Sequence, residues 1–283
     1  MNRLLCAFIL VNYALNLFSC SSSANKPEVK NDNPTASDST SATTVEQSLA
    51  ESTATQSDSS FGSFIKLFDN PGTDIPESVR SFLDIESVGH VTTKDVLETQ
   101  PFHLVLYSHF MPVGPGMEII HVASFSQEGT MIADLKLGSS YPSSGPDGGG
   151  EECSYDYDAQ RHVLKVFNST TDFDEKSQEE FTTDVISFYL LEEDGTLTNG
   201  RKYPQVSKEY LEASSLTSNS KDELKIMRNE IFAVHGYVFK SEPVKSHYRA
   251  MRWYKPQFEN VDDLLNVFEK ANVKIIRQVE DQK

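Results

Sequence analysis

The chain has 283 residues, room for one large domain or two modest ones plus tails. Its hydrophobic fraction of 38% lies below the roughly 45–50% of an average globular chain, so a polar segment must dilute an ordinary core. The net charge of −17 excludes nucleic acid as an expected partner, because attraction to phosphate dominates that affinity, and it opposes approach to an anionic lipid surface.

Residues Met1 to Cys20 read as an export signal. Arg3 supplies the basic start, and Leu4 to Leu17 is mostly apolar yet shorter than the about 20 residues that a membrane span needs. The closing Leu17-Phe18-Ser19-Cys20 resembles the bacterial lipobox, with Leu three before the cysteine and a small residue just before it; Phe18 is bulkier than usual, and Asn12 and Asn16 interrupt the apolar run. The resemblance implies cleavage ahead of Cys20, lipid on its thiol and a membrane-anchored lipoprotein, palmitate being the acyl class. Two or more acyl chains hold a protein stably at a membrane. The alternative is an ordinary secretory signal that leaves Cys20 a plain thiol. Of the three cysteines, Cys6 is lost on cleavage; a lipidated Cys20 leaves Cys153 alone, and an unlipidated one leaves a Cys20–Cys153 bridge open. No acidic cluster follows Cys20 in Ser21-Ser22-Ser23. The expected address is the bacterial cell envelope, at the outer membrane facing the periplasm.

Residues 21–60 are rich in Ser, Thr, Asn, Asp and Ala, and their larger aliphatics are Val29, Val45 and Leu49. Such a segment cannot bury enough apolar surface to offset its ordering entropy. It is expected to be a disordered tether with a reach of roughly 35 Å.

From Phe61 the composition changes, with Phe61, Phe64, Ile65, Leu67 and Phe68 close together and a turn at Asn70-Pro71-Gly72. Strands are expected at Phe102–Phe110, Glu118–Phe125, Thr130–Leu137, Cys153–Asp158, His162–Ser169 and Phe181–Leu191. In the first of these the even positions are apolar apart from Ser108, and the odd face is mixed. Gln127-Glu128-Gly129 and Asp194-Gly195 are tight-turn signals, and 138–150, with five Gly and two Pro, reads as a loop. Short strands with hairpin-length connections predict an antiparallel meander over residues 61–203, with Ser187–Leu191 in a central strand.

The pattern then turns helical over 210–283, so the fold class is α+β: an antiparallel β domain followed by a small three-helix domain. Ser220 and Glu223 form a capping box for a helix from Lys221 to about His235, closed by Gly236. Ser241-Glu242-Pro243 starts a second helix that ends near Arg252. Leu264, Leu265, Phe268, Ala271, Ile275 and Val279 share one face of a third, capped by Asn260 or Asp262. From Tyr210 onward twelve basic residues meet eleven acidic ones, so the acidity lies upstream.

The run Arg228-Asn229-Glu230-Ile231-Phe232-Ala233-Val234-His235-Gly236 resembles the core of the YARHG domain, which takes its name from Tyr-Ala-Arg-His-Gly. Tyr237, Phe239-Lys240-Ser241, Trp253-Tyr254 before Pro256, and Leu264-Leu265 extend the resemblance over about Tyr210 to Glu280. It implies an exported bacterial protein, often a lipoprotein, and names no reaction. Phe232 and Val234 stand where the family has Tyr and Arg, so a family function that needs that Arg is absent or altered here.

At about 100° per residue, Leu224, Met227, Ile231 and Val234 share a helix face that Arg228 and His235 border, while Lys225, Asn229 and Ala233 point away. Two roles are open for Arg228 and His235. They hydrogen-bond to carbonyls or carboxylates and fix how the helices meet, or they line a small ligand pocket. Candidate binding residues are Arg228, Glu230, His235, Tyr237, Tyr248, Trp253 and Tyr254, with Cys20 as the lipid attachment site. No catalytic residues are expected, because no nucleophile or paired base stands at a meaningful spacing from His235.

No metal or cofactor is expected either. His103 and His109 lie roughly 20 Å apart along a strand, too far to share one zinc with His121. Asp147, Glu151 and Glu152, or Asp172, Asp174 and Glu175, lack the spacing of a calcium loop. Gly148-Gly149-Gly150 lacks the Lys-Ser/Thr of a phosphate loop. Cys153 sits among acids as a structural thiol, and Tyr155 and Tyr157 either pack across strands or form an exposed aromatic strip. The expected function is non-enzymatic binding or scaffolding, with a protein, peptidoglycan or another glycan as ligand. The rival is an envelope enzyme or hydrolase accessory with a carboxylate site in the β domain.

Overall fold

The computed structural model describes residues 59–283, apart from 84, 86–88, 113, 115, 143–148 and 175–178. The expected signal peptide, Cys20 and nearly all of the 21–60 tether lie outside the described residues, as do Asp147 and Glu175.

Ser60 caps α1 (Phe61–Lys66) by accepting the Ser63 N–H. Two short 3-10 turns follow, Leu67–Asp69 and Glu77–Phe82. The aromatic cluster of this entry segment covers one face of a four-stranded antiparallel sheet: β1 (Val91–Glu98), β2 (His103–Met111), β3 (Met117–Phe125) and β4 (Met131–Ser140). Phe64, Phe68, Ile75 and Val79 bury against Val105, Tyr107, Ala123 and Phe125. A second antiparallel sheet holds β5 (Gly150–Asp158), β6 (Val163–Asp174), β7 (Glu179–Leu191) and β8 (Leu197–Asn199), again in chain order. The sheets bury Leu104, Leu106, Ile120, Val122 and Leu137 of one against Cys153, Leu164, Val166 and Leu191 of the other. The middle of β2 is therefore covered on both sides, and Leu104 to Tyr107 are all fully buried, where the residue types alone distinguish an apolar and a mixed face.

The strands β1 and β8 go beyond the six expected. Two register shifts break the alternation of β1, and β8 has only three residues. The expected loop 138–150 is shorter at both ends, because Gly138 lies inside β4 and Gly150 opens β5. Gly138 is where β6 reaches across: Asn168 Nδ2 donates to the Leu137 carbonyl at 3.0 Å, and a Cβ on Gly138 would stand 2.0 Å from Asn168 Oδ1 and 2.8 Å from Cys153 Sγ. Burial, aided by the nearby Glu151 charge, pushes the Cys153 thiol up to about 11. Tyr155 and Tyr157 face inward beside this core, with the Tyr157 hydroxyl donating to Glu98 at 2.9 Å, so they pack across strands.

The helical part holds a 3-10 turn at Pro204–Ser207, α2 (Ala213–Leu216), α3 (Lys221–Val234), α4 (Val244–Arg249) and α5 (Val267–Glu280). The capping box of α3 is present: the Glu223 N–H donates to Ser220 Oγ and the Ser220 N–H to Glu223 Oε2. Four expectations are corrected. α4 begins after Pro243 and stops at Arg249, short of 252. The cap of α5 is Asn266, which exchanges bonds of 2.9 and 3.0 Å with Glu269 in a buried capping box, while Asn260 caps only the Asp262 N–H of a preceding 3-10 turn. Leu264 and Leu265 thus precede the helix, and its buried face runs through Glu269, Asn272, Ile276 and Val279 rather than Phe268, Ala271 and Ile275. Ala233 does not point to solvent. One side of α3 packs Leu224, Met227 and Ile231 against Tyr203, Val206 and Ile276, and the other sets Ala233 and Val234 on Val163 and Phe188 of the second sheet. Among the described residues no helix is long and apolar enough to cross a membrane.

Two glycine replacements should differ in sign. Gly138→Ala forces Asn168 off its carbonyl and should cost about 1–3 kcal/mol. Gly62→Ala, inside α1 with only Ser60 Oγ near at 3.9 Å, should be neutral or stabilise by up to about 1 kcal/mol. Urea denaturation of both variants checks the pair.

Candidate functional site

The left-handed Gly236 (φ 77°) closes α3, and its carbonyl accepts the N–H groups of Gln257 at 2.7 Å and Phe258 at 3.0 Å. A Cβ there would meet the Lys255 carbonyl at 2.9 Å. This straps residues 252–258 along the end of α3. Facing the strap is the outer surface of the second sheet. The two-residue period of a strand puts Asp156 on β5, Lys165 and Phe167 on β6, and Asp184, Ile186 and Phe188 on β7 on that side. Between strap and sheet lies a cleft of about 640 Å3.

The Phe188 ring stacks on Trp253 at 4.9 Å between centroids. Lys165 Nζ sits 4.3 Å from the Phe167 ring centre and 5.9 Å from that of Phe188, a cation–π arrangement. Burial lowers the pKa of Lys165; the charge of Asp156, its partner across the strand pair, opposes that shift. Phe167, Phe258 and Leu264 are exposed by 37%, 46% and 49% along the cleft.

Behind the cleft wall lies a buried polar network. Arg201 Nε donates to Glu230 Oε1 at 3.2 Å, with both side chains almost fully buried. The Arg201 guanidinium also reaches the Ile186 carbonyl and Ser207 Oγ, each at 2.9 Å. Glu230 further accepts the N–H groups of Lys202 and Tyr203. Ser207 passes the chain on to Glu269 Oε1 at 2.5 Å, and Glu269 Oε2 bonds His235 Nε2 at 2.8 Å. Asn266 Nδ2 donates to the carbonyls of Asp184 and Ser207. Burial lowers the pKa of Arg201 against the opposing charges of Glu230 and Glu269; a guanidinium stays protonated regardless.

Arg201 and Ser207 act as one unit with α3 and α5. Residues 200–281 match the YARHG domain. The match starts upstream of the expected Tyr210, at the residue before Arg201. No curated protein and no solved structure gives a significant match to the chain.

The YARHG signature residues divide by what they touch. Arg228 pairs with Glu280 at 2.9 Å and ties α3 to α5. Glu230 is committed to Arg201. The Tyr248 hydroxyl donates to the Ile226 carbonyl and that of Tyr254 to the Tyr237 carbonyl; burial raises both hydroxyl pKa values. Tyr237 is half-buried against Phe232 and Phe239. Only His235 and Trp253 of the candidate set line the cleft, and His235 also holds the α3–α5 contact through Glu269, which is the packing role read from the helix wheel. Arg228 serves the packing role through Glu280. Asp156, Lys165, Phe167 and Asp184 of the sheet line the cleft and are not among the residues that the sequence singles out. A lone Lys among Val163, Leu164 and Val166 was the available signal.

Elsewhere, His121 Nδ1 bonds Asp134 at 3.0 Å and its ring lies 5.1 Å from that of His109, while Asp134 also takes the Tyr107 hydroxyl. Among the described residues no three His, Cys, Asp or Glu side chains are grouped to hold a metal ion.

Glu230→Ala leaves the Arg201 charge buried and two backbone N–H groups unmatched, so it should cost about 3–5 kcal/mol. Lys240→Ala removes an exposed pair with Glu259 at 3.9 Å and should change stability by less than about 0.5 kcal/mol. Chemical denaturation of the two variants in parallel checks the contrast.

Proposed function

We propose that this protein is a lipid-anchored lipoprotein of the bacterial envelope whose folded body binds a ligand without transforming it, in the cleft between the second sheet and the YARHG domain. The observation that carries the reading is the cleft itself. Its volume of about 640 Å3 lies within the roughly 300–1,000 Å3 of small-ligand sites. It combines an apolar floor with a few converging polar groups, and the buried network holds one wall in place. Several of its titratable side chains are already committed: Asp158 to Lys255 at 2.8 Å, Arg252 to Glu192 at 2.9 Å, His235 to Glu269, and Asp184 to Ser169. The half-exposed Phe167 and Phe258 rings offer faces for a peptide side chain or the apolar face of a sugar. Peptidoglycan, another glycan or an envelope protein fits that chemistry.

The rival reading, a hydrolase or its accessory, draws its support from Asp156 and Asp184, which line the same cleft from two strands. Asp156→Asn with Asp184→Asn separates the two. A binder keeps its ligand or loses affinity with no product formed, whereas an enzyme loses turnover of isolated cell-wall material.

Two outcomes are expected in cells. Cys20→Ser should move the protein from the membrane fraction to the soluble fraction, read by fractionation and by loss of the acyl mass. A photo-crosslinking residue at Phe167 should capture a defined partner or wall fragment in intact cells, and Lys165→Glu should abolish that capture. If nothing specific is captured at Phe167 or Phe258, the cleft is not a binding site.

A further inference from the structure

A second cleft, also of about 640 Å3, opens beside the first and shares Arg252 with it. Trp253, Lys255 and Gln257 line the first, and Tyr254 and Pro256 line the second. The charge lining of the second cleft is of one sign. Arg161 enters from the β5–β6 turn, Lys245 and Arg249 from α4, and Arg252 from the strap, and no Asp or Glu is among its described lining residues. This stands against a net charge of −17 for the whole chain. Two of the four cations are held in place: Arg161 Nη1 donates to the carbonyls of Arg252 at 3.4 Å and Tyr254 at 3.0 Å, and Arg252 to the Leu191 carbonyl at 3.2 Å and Glu192 at 2.9 Å. Two carboxylates border it: Asp158 lies 3.8 Å from Arg161 and 2.8 Å from Lys255, and Glu242, which accepts from the N–H and hydroxyl of Ser246, also feels the charges of Lys245 and Arg249. Lys245 and Arg249 are one turn apart on α4, the spacing that puts both on one helix face. Val238, Phe239 and Met251 supply an apolar lining.

We propose that this second cleft binds a phosphate ester, with the phosphate among Lys245, Arg249 and Arg161 and the carbon part of the ester over Phe239 and Met251. A planar carboxylate is satisfied by one Arg fork. A tetrahedral phosphate offers oxygens in three directions, which suits cations arriving from a turn, a helix and a strap. The local sign of the cleft, rather than the charge of the whole chain, decides which ion enters it. The proposed phosphate ligands Lys245, Arg249 and Arg161 line the second cleft and not the first. A soluble phosphate ester and the headgroup of an anionic lipid share this chemistry.

The test uses the chain from Ser21 onward, without the expected signal peptide and Cys20, so that neither acyl chains nor the apolar run Leu4–Leu17 report on membranes. Glycerol 3-phosphate is titrated by calorimetry, and co-sedimentation is measured with phosphatidylglycerol vesicles and with neutral phosphatidylcholine vesicles. Binding to glycerol 3-phosphate supports a soluble ester as the ligand, and binding to phosphatidylglycerol vesicles alone supports the headgroup. In either case Lys245→Glu with Arg249→Glu should weaken binding by about tenfold or more at unchanged melting temperature. Lys270→Glu with Lys274→Glu, the same charge change on exposed positions of α5, should leave it within about twofold. The proposal is overturned by failure to bind either phosphate probe, by equal binding to neutral vesicles, or by equal loss in the two double variants.

Discussion

Arg201 is a guanidinium with no solvent contact, and the helical part is arranged around meeting its needs. Removing such a charge from water costs several kcal/mol, which only close geometry and full hydrogen bonding can offset. Glu230 supplies the counter-charge from α3, Ile186 a carbonyl from the second sheet, and Ser207 a relay to Glu269 on α5. Three pieces distant in sequence are thus placed by one ion. A network of this kind rewards one arrangement and penalises every partly matched one, because each orphaned member remains buried. It adds direction to an apolar core that has none of its own.

The same network accounts for the cleft. The Asn266 side chain bonds the Asp184 carbonyl, and the Arg201 guanidinium bonds that of Ile186, so the YARHG domain grips β7 by its backbone. Val163 and Phe188 then fill the contact with Ala233, Val234 and Trp253. The grip covers one part of the sheet's outer face and leaves Lys165 and Phe167 at the margin. The cleft is the uncovered margin of a packed interface, which is why it has one wall of helix and strap and a floor of strand.

Legibility from the residues followed the range of the interactions. The α3 capping box was readable because Ser220 and Glu223 are three apart and act alone. Five of the six expected strands adjoin a Gly-containing turn or loop and the sixth, β6, holds the apolar-rich run Val163–Phe167, whereas β1 carries Lys94 and Asp95 where its register shifts. On α5, Glu269 and Asn272 lie outside the expected apolar stripe, and their partners, Ser207, His235 and the carbonyls of Val206 and Glu209, are long-range. That displaced both the cap and the buried stripe. The helix wheel offers Arg228 and His235 bonds to carbonyls or carboxylates as one of two roles, but it cannot name Glu280 and Glu269 as the partners. Lys165 and Trp253 line the same cleft, and no local pattern joins residues that far apart.

Cys153, wedged between Gly138 and the inter-sheet core, has a chemical consequence. Disulfide exchange proceeds through the thiolate, and a thiol held at about 11 is ionised in only about one molecule in ten thousand at neutral pH. With the sulfur also shielded from solvent, this cysteine is slow to react with oxidants or with other thiols. The β domain therefore carries a sulfur that serves as packing volume.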